Sequence, residues 1–276
     1  MSPLITDEKG GIRYQHWGAK SPQAILLLVH GLGGHSGRWD FLGAYFQQNG
    51  ISSYAIELRG FGETEGPLGH IDSFNTYYKD IHRLGDIILN ENPGKKIFLV
   101  GESMGGLISF MEVLREPDFF NGLICISPAF VSRLKLSIYK YLKIFFAMAF
   151  APGKRFDMPF GSAMCTRDVE YQKVMDSDKR EHRMASARLL CSTLAAQVRA
   201  LTGKLDITIP VLFLLAGEDQ LVDPGMSEKV FARLRTANKN IILYPGMYHA
   251  LPIDSGREKV FEDIIEWVRD RIKEGR

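Results

Sequence analysis

The sequence predicts an α/β protein: a doubly wound, mostly parallel sheet that carries one helical insertion. Three observations lead there. Short continuous apolar runs recur along the chain, segments of helix length separate them, and one stretch, residues 131–205, breaks the alternation. The chain has 276 residues, enough for one large domain with a real core. With 45% apolar and 24% charged residues its composition is ordinary for a globular protein, which excludes wholesale disorder, collagen-like repeats and coiled coil.

The elements follow in chain order. Residues 12–17 (IRYQHW) alternate apolar and polar and suit an antiparallel edge strand. Residues 24–30 (AILLLVH), 51–58 (ISSYAIEL), 97–101 (IFLVG), 122–127 (GLICIS), 211–217 (VLFLLAG) and 240–245 (NIILYP) are continuous apolar runs. Strands that are apolar on both sides belong to a sheet covered on both faces, which means a parallel one. Helices are expected between them over 36–49, 73–91, 103–115, 224–237 and 257–273. In the last, Val260, Phe261, Ile264, Ile265, Val268 and Ile272 recur at helical spacing.

Residues 131–205 hold no convincing strand and read as helical. A chain that leaves a sheet at 122–127 and rejoins it at 211–217 is carrying an inserted subdomain, so the expected division is a core of residues 1–130 and 206–276 with a helical cap at 131–205. The insert has fourteen Lys/Arg and six Asp/Glu, a surplus of eight positive charges. The whole chain carries only +2, so the remainder stands at −6. That near-neutral total gives no reason to expect nucleic acid as a partner.

Few residues could do chemistry. Gly101-Glu102-Ser103-Met104-Gly105 is a G-x-S-x-G that follows an apolar strand and opens a helix, the setting a nucleophile elbow needs. The plain alternative is a glycine-rich turn with a helix-capping serine. A serine hydroxyl needs a base, and the base needs an orienting acid. Asp219 lies just past the strand at 211–217, and His249 just past the one at 240–245. His249 is the only one of the seven histidines beyond Asp219. Asp223 is the rival acid, better placed to start the next helix as a cap. Three such residues at the carboxyl ends of three strands, in the order Ser, Asp, His, point to nucleophilic catalysis.

A tetrahedral oxyanion needs two backbone N–H donors. Met104, after the nucleophile, is one candidate. Leu32, in the glycine-rich loop His30-Gly31-Leu32-Gly33-Gly34, is the other. A phosphate-binding loop is the competing reading, but the third glycine of G-x-G-x-x-G is missing at Ser36 and there is no G-K-[ST]. His30 precedes the serine and reads as a structural hydrogen-bonder.

The three cysteines (Cys125, Cys165, Cys191) form no C-x-x-C, and no H-E-x-x-H accompanies His30 and His35, so neither a disulfide framework nor a metal site is expected. The first residues carry early acids and no apolar h-region, so a reducing cytoplasm is the expected compartment.

Four blocks taken together resemble the α/β-hydrolase superfamily, and within it the monoacylglycerol lipase and lysophospholipase branch of serine hydrolases: VHGLGGHSGRW (29–39), ELRGFGETEG (57–66), GESMGG (101–106), and the loops at Asp219 and His249. The resemblance implies an acyl-enzyme mechanism without a cofactor, oxyanion donors at Leu32 and Met104, and a helical lid over an acyl pocket. The serine argues against the similar haloalkane dehalogenases and epoxide hydrolases, which use a carboxylate nucleophile. The chain departs from the pattern at Glu57, Phe61 and Thr64, where Asp, His and Ser are usual, and at Gly34, where an acid is usual.

The most apolar stretch is 136–151 (LSIYKYLKIFFAMAFA). At sixteen residues it is too short to span a bilayer, which takes about twenty. The expectation is that it packs on the core and lines an acyl tunnel, with Leu142, Phe145 and Phe146 as candidate substrate contacts; contact with a lipid surface remains open. The expected substrate is a single-chain lipid ester such as a monoacylglycerol, with lysophospholipids, thioesters and small esters as alternatives. A ligand-binding protein with an idle triad would be told apart by its failure to label with a fluorophosphonate.

Overall fold

The computed structural model describes residues 2–7 and 11–273. Strands β1 (Leu4–Asp7), β2 (Ile12–Trp17) and β3 (Ile25–Val29) lead into α1 (Asp40–Gln48) and β4 (Ser52–Glu57). Then α2 (Phe74–Glu91), β5 (Ile97–Glu102), α3 (Met104–Arg115) and β6 (Gly122–Ile126) alternate. The segment 131–205 carries α4 (Ile138–Phe150), β7 (Arg155–Asp157), α5 (Ser162–Cys165), α6 (Val169–Ser177), β8 (Met184–Ser186) and α7 (Ala187–Thr202). The chain ends with β9 (Val211–Ala216), α8 (Pro224–Arg233), β10 (Lys239–Tyr244) and α9 (Arg257–Lys273).

Eight strands form one sheet in the order β1-β2-β4-β3-β5-β6-β9-β10, with parallel pairing from β4 onward and antiparallel pairing at β1–β2 and β2–β4. The continuous apolar strands are buried on both faces. In β3, Ile25, Leu27 and Val29 enter one core cluster, and Leu26 and Leu28 enter the other. The first cluster is closed by α2 and α3, through Ile81, Leu84, Leu107 and Phe110. The second is closed by α1 and α9, through Leu42, Phe46, Val260 and Ile264. A period of two along a strand sends alternate side chains to opposite faces, so a strand with helices on both sides must be apolar throughout.

Three expectations are corrected. β2 is not the edge: β1, four half-exposed residues too few to show a pattern, pairs outside it. The apolar run at 240–245 predicts a strand covered on both faces, but β10 is the far edge and leaves Ile241 and Leu243 exposed. Residues 131–205 are not wholly helical, since β7 and β8 pair as a separate two-stranded antiparallel sheet of three residues a side, too short for any periodicity to register. This segment contributes no strand to the main sheet, yet α7 sends Leu189, Ala196 and Ala200 into the first core cluster. Among the described residues no helix is long and apolar enough to cross a membrane.

Candidate active site

The turn between β5 and α3 sets the geometry. Ser103 holds φ 56° and ψ −120°, a left-handed conformation that costs a non-glycine residue of order 1–3 kcal/mol. It persists because the surroundings over-determine it. The Ser103 N–H donates to the Ile126 carbonyl at 2.9 Å, and its own carbonyl accepts from Ala129 N at 2.9 Å and Leu107 N at 3.1 Å. The flanking glycines are required by contact: a Cβ on Gly101 would strike the Gly105 carbonyl and the Ser109 hydroxyl, and one on Gly105 would strike the Val29 and His30 carbonyls. Gly31 is equally constrained, since a Cβ there would lie 2.9 Å from Ser103 Cβ.

Asp219 follows β9 and His249 follows β10. The two meet with His249 Nδ1 at 2.7 Å from Asp219 Oδ2, both residues buried. The other carboxylate oxygen accepts from Leu221 N at 2.8 Å and Val222 N at 2.9 Å, so the acid is held by its own loop. Asp223 is occupied elsewhere: it caps α8 by accepting from Gly225 N and Met226 N. Burial opposes charge on His249, but the Asp219 carboxylate and its hydrogen bond, with the Glu102 carboxyl nearby, outweigh burial and hold the imidazole above its usual range. Burial would likewise raise Asp219, yet the His249 charge and hydrogen bond and the two backbone donors hold it below.

His30 is a structural group. Its Nε2 accepts from Leu58 N at 3.0 Å, which leaves Nδ1 as the donor to the Gly31 carbonyl at 2.8 Å. Burial pushes its pKa down to about 4, so the ring is neutral and both nitrogens are engaged. The unusual Glu57 is also structural, accepting from Ser36 N and Oγ on one oxygen and from Glu63 N on the other, and so tying the loop after β3 to the loop after β4.

A cavity of about 440 Å³ brings Leu32, Ser103, Met104 and His249 together. Its walls are largely apolar: Phe130, Leu136, Tyr141, Ile144, Met158, Leu190 and Leu201 are among them. Leu142, Phe145 and Phe146 are not. They are 47%, 70% and 57% exposed and face away from the cavity, which corrects the expectation for them. The reason is helical phase. The buried stripe of α4 is Ile144 and Ala147, three apart, and those three residues fall on other sides of the helix. A second, more open groove beside α1 and α9, lined by Asp40, Tyr45, Arg257 and Phe261 among others, holds none of these residues. Among the described residues no group of three His, Cys, Asp or Glu is placed to hold a metal ion, and the three cysteines are free thiols.

Residues that the sequence did not single out tie the segment 131–205 to both sides of the site. Arg38 Nε and Nη2 donate to the two carboxylate oxygens of Glu181 at 2.6 and 2.5 Å, with both side chains buried. His182 N donates to the Gly33 carbonyl at 3.1 Å. On the other side Asp254, fully buried, accepts from Arg167 N at 2.6 Å, Arg167 Nε at 2.9 Å and Thr166 Oγ1 at 3.1 Å. It also accepts from Tyr248 N, next to His249, at 2.8 Å. No spacing rule predicts a pairing between residues 143 positions apart. Glu181→Ala should leave a buried guanidinium without its partner and cost about 3–5 kcal/mol. Urea unfolding checks this, and an unchanged midpoint would mean that Arg38 finds another acceptor.

The chain is similar to several known proteins. A family profile described as "Serine aminopeptidase, S33" (Hydrolase_4) matches residues 20–256. A mouse protein called monoglyceride lipase is 27% identical over 91% of this chain and 84% of its own length. The Bacillus subtilis phospholipase YtpA is 28% identical over 89% of this chain and 95% of its own. The chain also matches 29% of the length of a larger Dictyostelium discoideum abhydrolase domain-containing protein, at 26% identity. The crystal structure of a Paleococcus ferrophilus monoacylglycerol lipase superposes with a TM-score of 0.85 at 27% identity, covering 94% of this chain and 99% of that one.

Proposed function

The chain belongs to the serine aminopeptidase S33 family of α/β-hydrolases and is a serine ester hydrolase, and from that premise we propose that it cleaves single-chain neutral lipid esters, monoacylglycerols first among them. Ser103 Oγ attacks the ester carbonyl as His249 takes its proton. Asp219 holds the ring in the tautomer that leaves Nε2 free to accept, and it stabilises the imidazolium. The amides of Leu32 and Met104 receive the oxyanion. His249 then protonates the departing alcohol and activates the water that clears the acyl-enzyme.

The observation that carries the substrate class is the apolar cavity of about 440 Å³ beside Ser103. Burying an acyl chain of about ten carbons there contributes about 8 kcal/mol before ordering costs. Residues 131–205 act as the lid in this reading, and the mouse and Paleococcus proteins named above carry the same substrate in their names. The Bacillus phospholipase keeps a lysophospholipid as the second reading. A panel of glyceryl, lysophospholipid and p-nitrophenyl esters of graded chain length decides between them. The proposal expects kcat/KM to rise with chain length and to be highest for the glyceryl series; a panel led by lysophospholipids would replace it.

The exposed side of α4 supports peripheral contact with a lipid surface. Phe145, Phe146 and Phe150 are more than half exposed, beside Lys140 and Lys143. Phe145→Asp and Phe146→Asp should weaken sedimentation with anionic vesicles and slow hydrolysis of emulsified long-chain esters, while sparing soluble butyrate esters. Vesicle binding that survives both changes would remove α4 from the contact.

A further inference from the structure

We propose that Glu102 determines the leaving-group specificity of this enzyme by bonding a free hydroxyl of the departing alcohol, so that polyol esters are preferred to esters of simple alcohols and to phosphate-bearing ones; this rests on the roles of Ser103 and His249 given above.

The place of the alcohol follows from the chemistry. His249 must hand its proton to the leaving oxygen, so the alcohol lies against His249. Among the described residues only three ionisable side chains of Asp, Glu, Lys, Arg or His type line the cavity: Arg38, Glu102 and His249. Two of them are engaged. Arg38 is bound through two nitrogens to Glu181, and His249 Nδ1 is bound to Asp219. Glu102 is the exception: its side chain is buried, the residue is only 4% exposed, and Oε1 has no hydrogen-bond partner among the described residues. It is the last residue of β5, directly before Ser103, so it is placed as firmly as the nucleophile.

A buried carboxyl with an unmet oxygen destabilises the protein unless something satisfies it. Burial holds Glu102 above the usual carboxyl range, opposed by the charges of Arg38 and His249 and reinforced by those of Glu181 and Asp219. Ionised, it accepts from a hydroxyl; protonated, it donates to one. In either state a hydroxyl is the matching ligand group for the Glu102 carboxyl, whereas a methyl offers it nothing. An ionised phosphate offers no donor to a carboxylate, and Arg38, the nearby cation, is already neutralised by Glu181. A site built around a hydrogen bond rejects a substrate that lacks it far more strongly than an apolar site rejects a missing methylene.

Full-length enzyme is assayed on three laurate esters: 1-lauroylglycerol, methyl laurate and lauroyl lysophosphatidic acid. The wild type is expected to favour 1-lauroylglycerol over methyl laurate by about tenfold or more in kcat/KM. Glu102→Leu should bring that ratio close to one. Glu102→Gln has nearly the same shape and can still bond a hydroxyl, so it should keep much of the ratio while raising lysophosphatidic acid relative to 1-lauroylglycerol severalfold. Glycerol-to-methyl ratios that are equal in wild type and Glu102→Leu overturn the proposal. If the leucine variant does not fold, Glu102→Met, which is closer in shape and equally unable to bond the hydroxyl, takes its place, and a glycerol-to-methyl ratio unchanged from wild type overturns the proposal. A wild type that hydrolyses none of the three esters refutes the ester-hydrolase reading itself, an outcome distinct from equal ratios.

Discussion

Ser103→Ala is expected to lower kcat by about 10⁶ on every ester the enzyme accepts, short or long. The size of the loss follows from how the reaction is divided. Without the hydroxyl no acyl-enzyme forms, and what remains is the polarisation of a bound carbonyl by backbone amides with water as the nucleophile. The fold should be untouched, because the bonds that hold the turn come from the Ser103 backbone: its N–H to Ile126 O, and its carbonyl to Ala129 N and Leu107 N. The strained φ of 56° gives the experiment a second, independent readout. Alanine keeps the Cβ that dislikes this conformation, whereas Ser103→Gly removes it and should raise stability by about 1 kcal/mol while being equally inactive. Turnover of p-nitrophenyl butyrate and thermal melts of the three proteins check both parts. A folded alanine variant that keeps more than a tenth of wild-type activity would move the nucleophile elsewhere.

That the nucleophile could be proposed at all reflects which parts of the fold are written locally. β3, β6 and β9, and β5 up to its last two residues, are legible because a strand covered on both faces is apolar throughout; Asp219 lies just beyond such a strand, and His249 just beyond the apolar run of the edge strand β10. The failures have one physical origin, the absence of a local signal. β1, β7 and β8 have three or four residues each and cannot display a period. In α4 nearly every position is apolar, so no stripe marks the inward side, and a helix closed over a cavity and a helix with an apolar face turned outward have the same sequence. Ile144 proved to be the inward residue, and Phe145 and Phe146 point out. The ties between Arg38 and Glu181 and between Asp254 and Arg167 are long-range pairings that only the folded chain makes visible. Residues 131–205 bond to the loop that carries Leu32, through His182 N to the Gly33 carbonyl, and to the loop that carries His249, through Ala250 N to the Cys165 carbonyl, so they share in positioning both.

Asp219→Asn should cost about 10⁴ in kcat, and Asp223→Asn should cost little. The two acids lie four residues apart and have different work. Asp223 caps α8, and asparagine is as good an N-cap as aspartate, so that substitution changes neither the helix nor the site. Asp219 faces His249 Nδ1 at 2.7 Å, where an amide can present its N–H₂ to the ring and favour the tautomer with the proton on Nε2, the atom that must accept from Ser103. A pH profile separates this from simple unfolding. Only neutral imidazole accepts the serine proton, so activity rises with pH as His249 deprotonates. With Asp219 in place the imidazole is held above its ordinary value of 6.5, so the wild-type limb should lie above that pH. Removing the carboxylate leaves burial, which disfavours the charged ring, and the residual limb of Asp219→Asn should therefore shift to lower pH. The measurement is kcat/KM from pH 5 to 9 for wild type and both variants. Comparable losses at Asp219 and Asp223, or a limb that stays where it was in Asp219→Asn, would mean that a different acid orients the base.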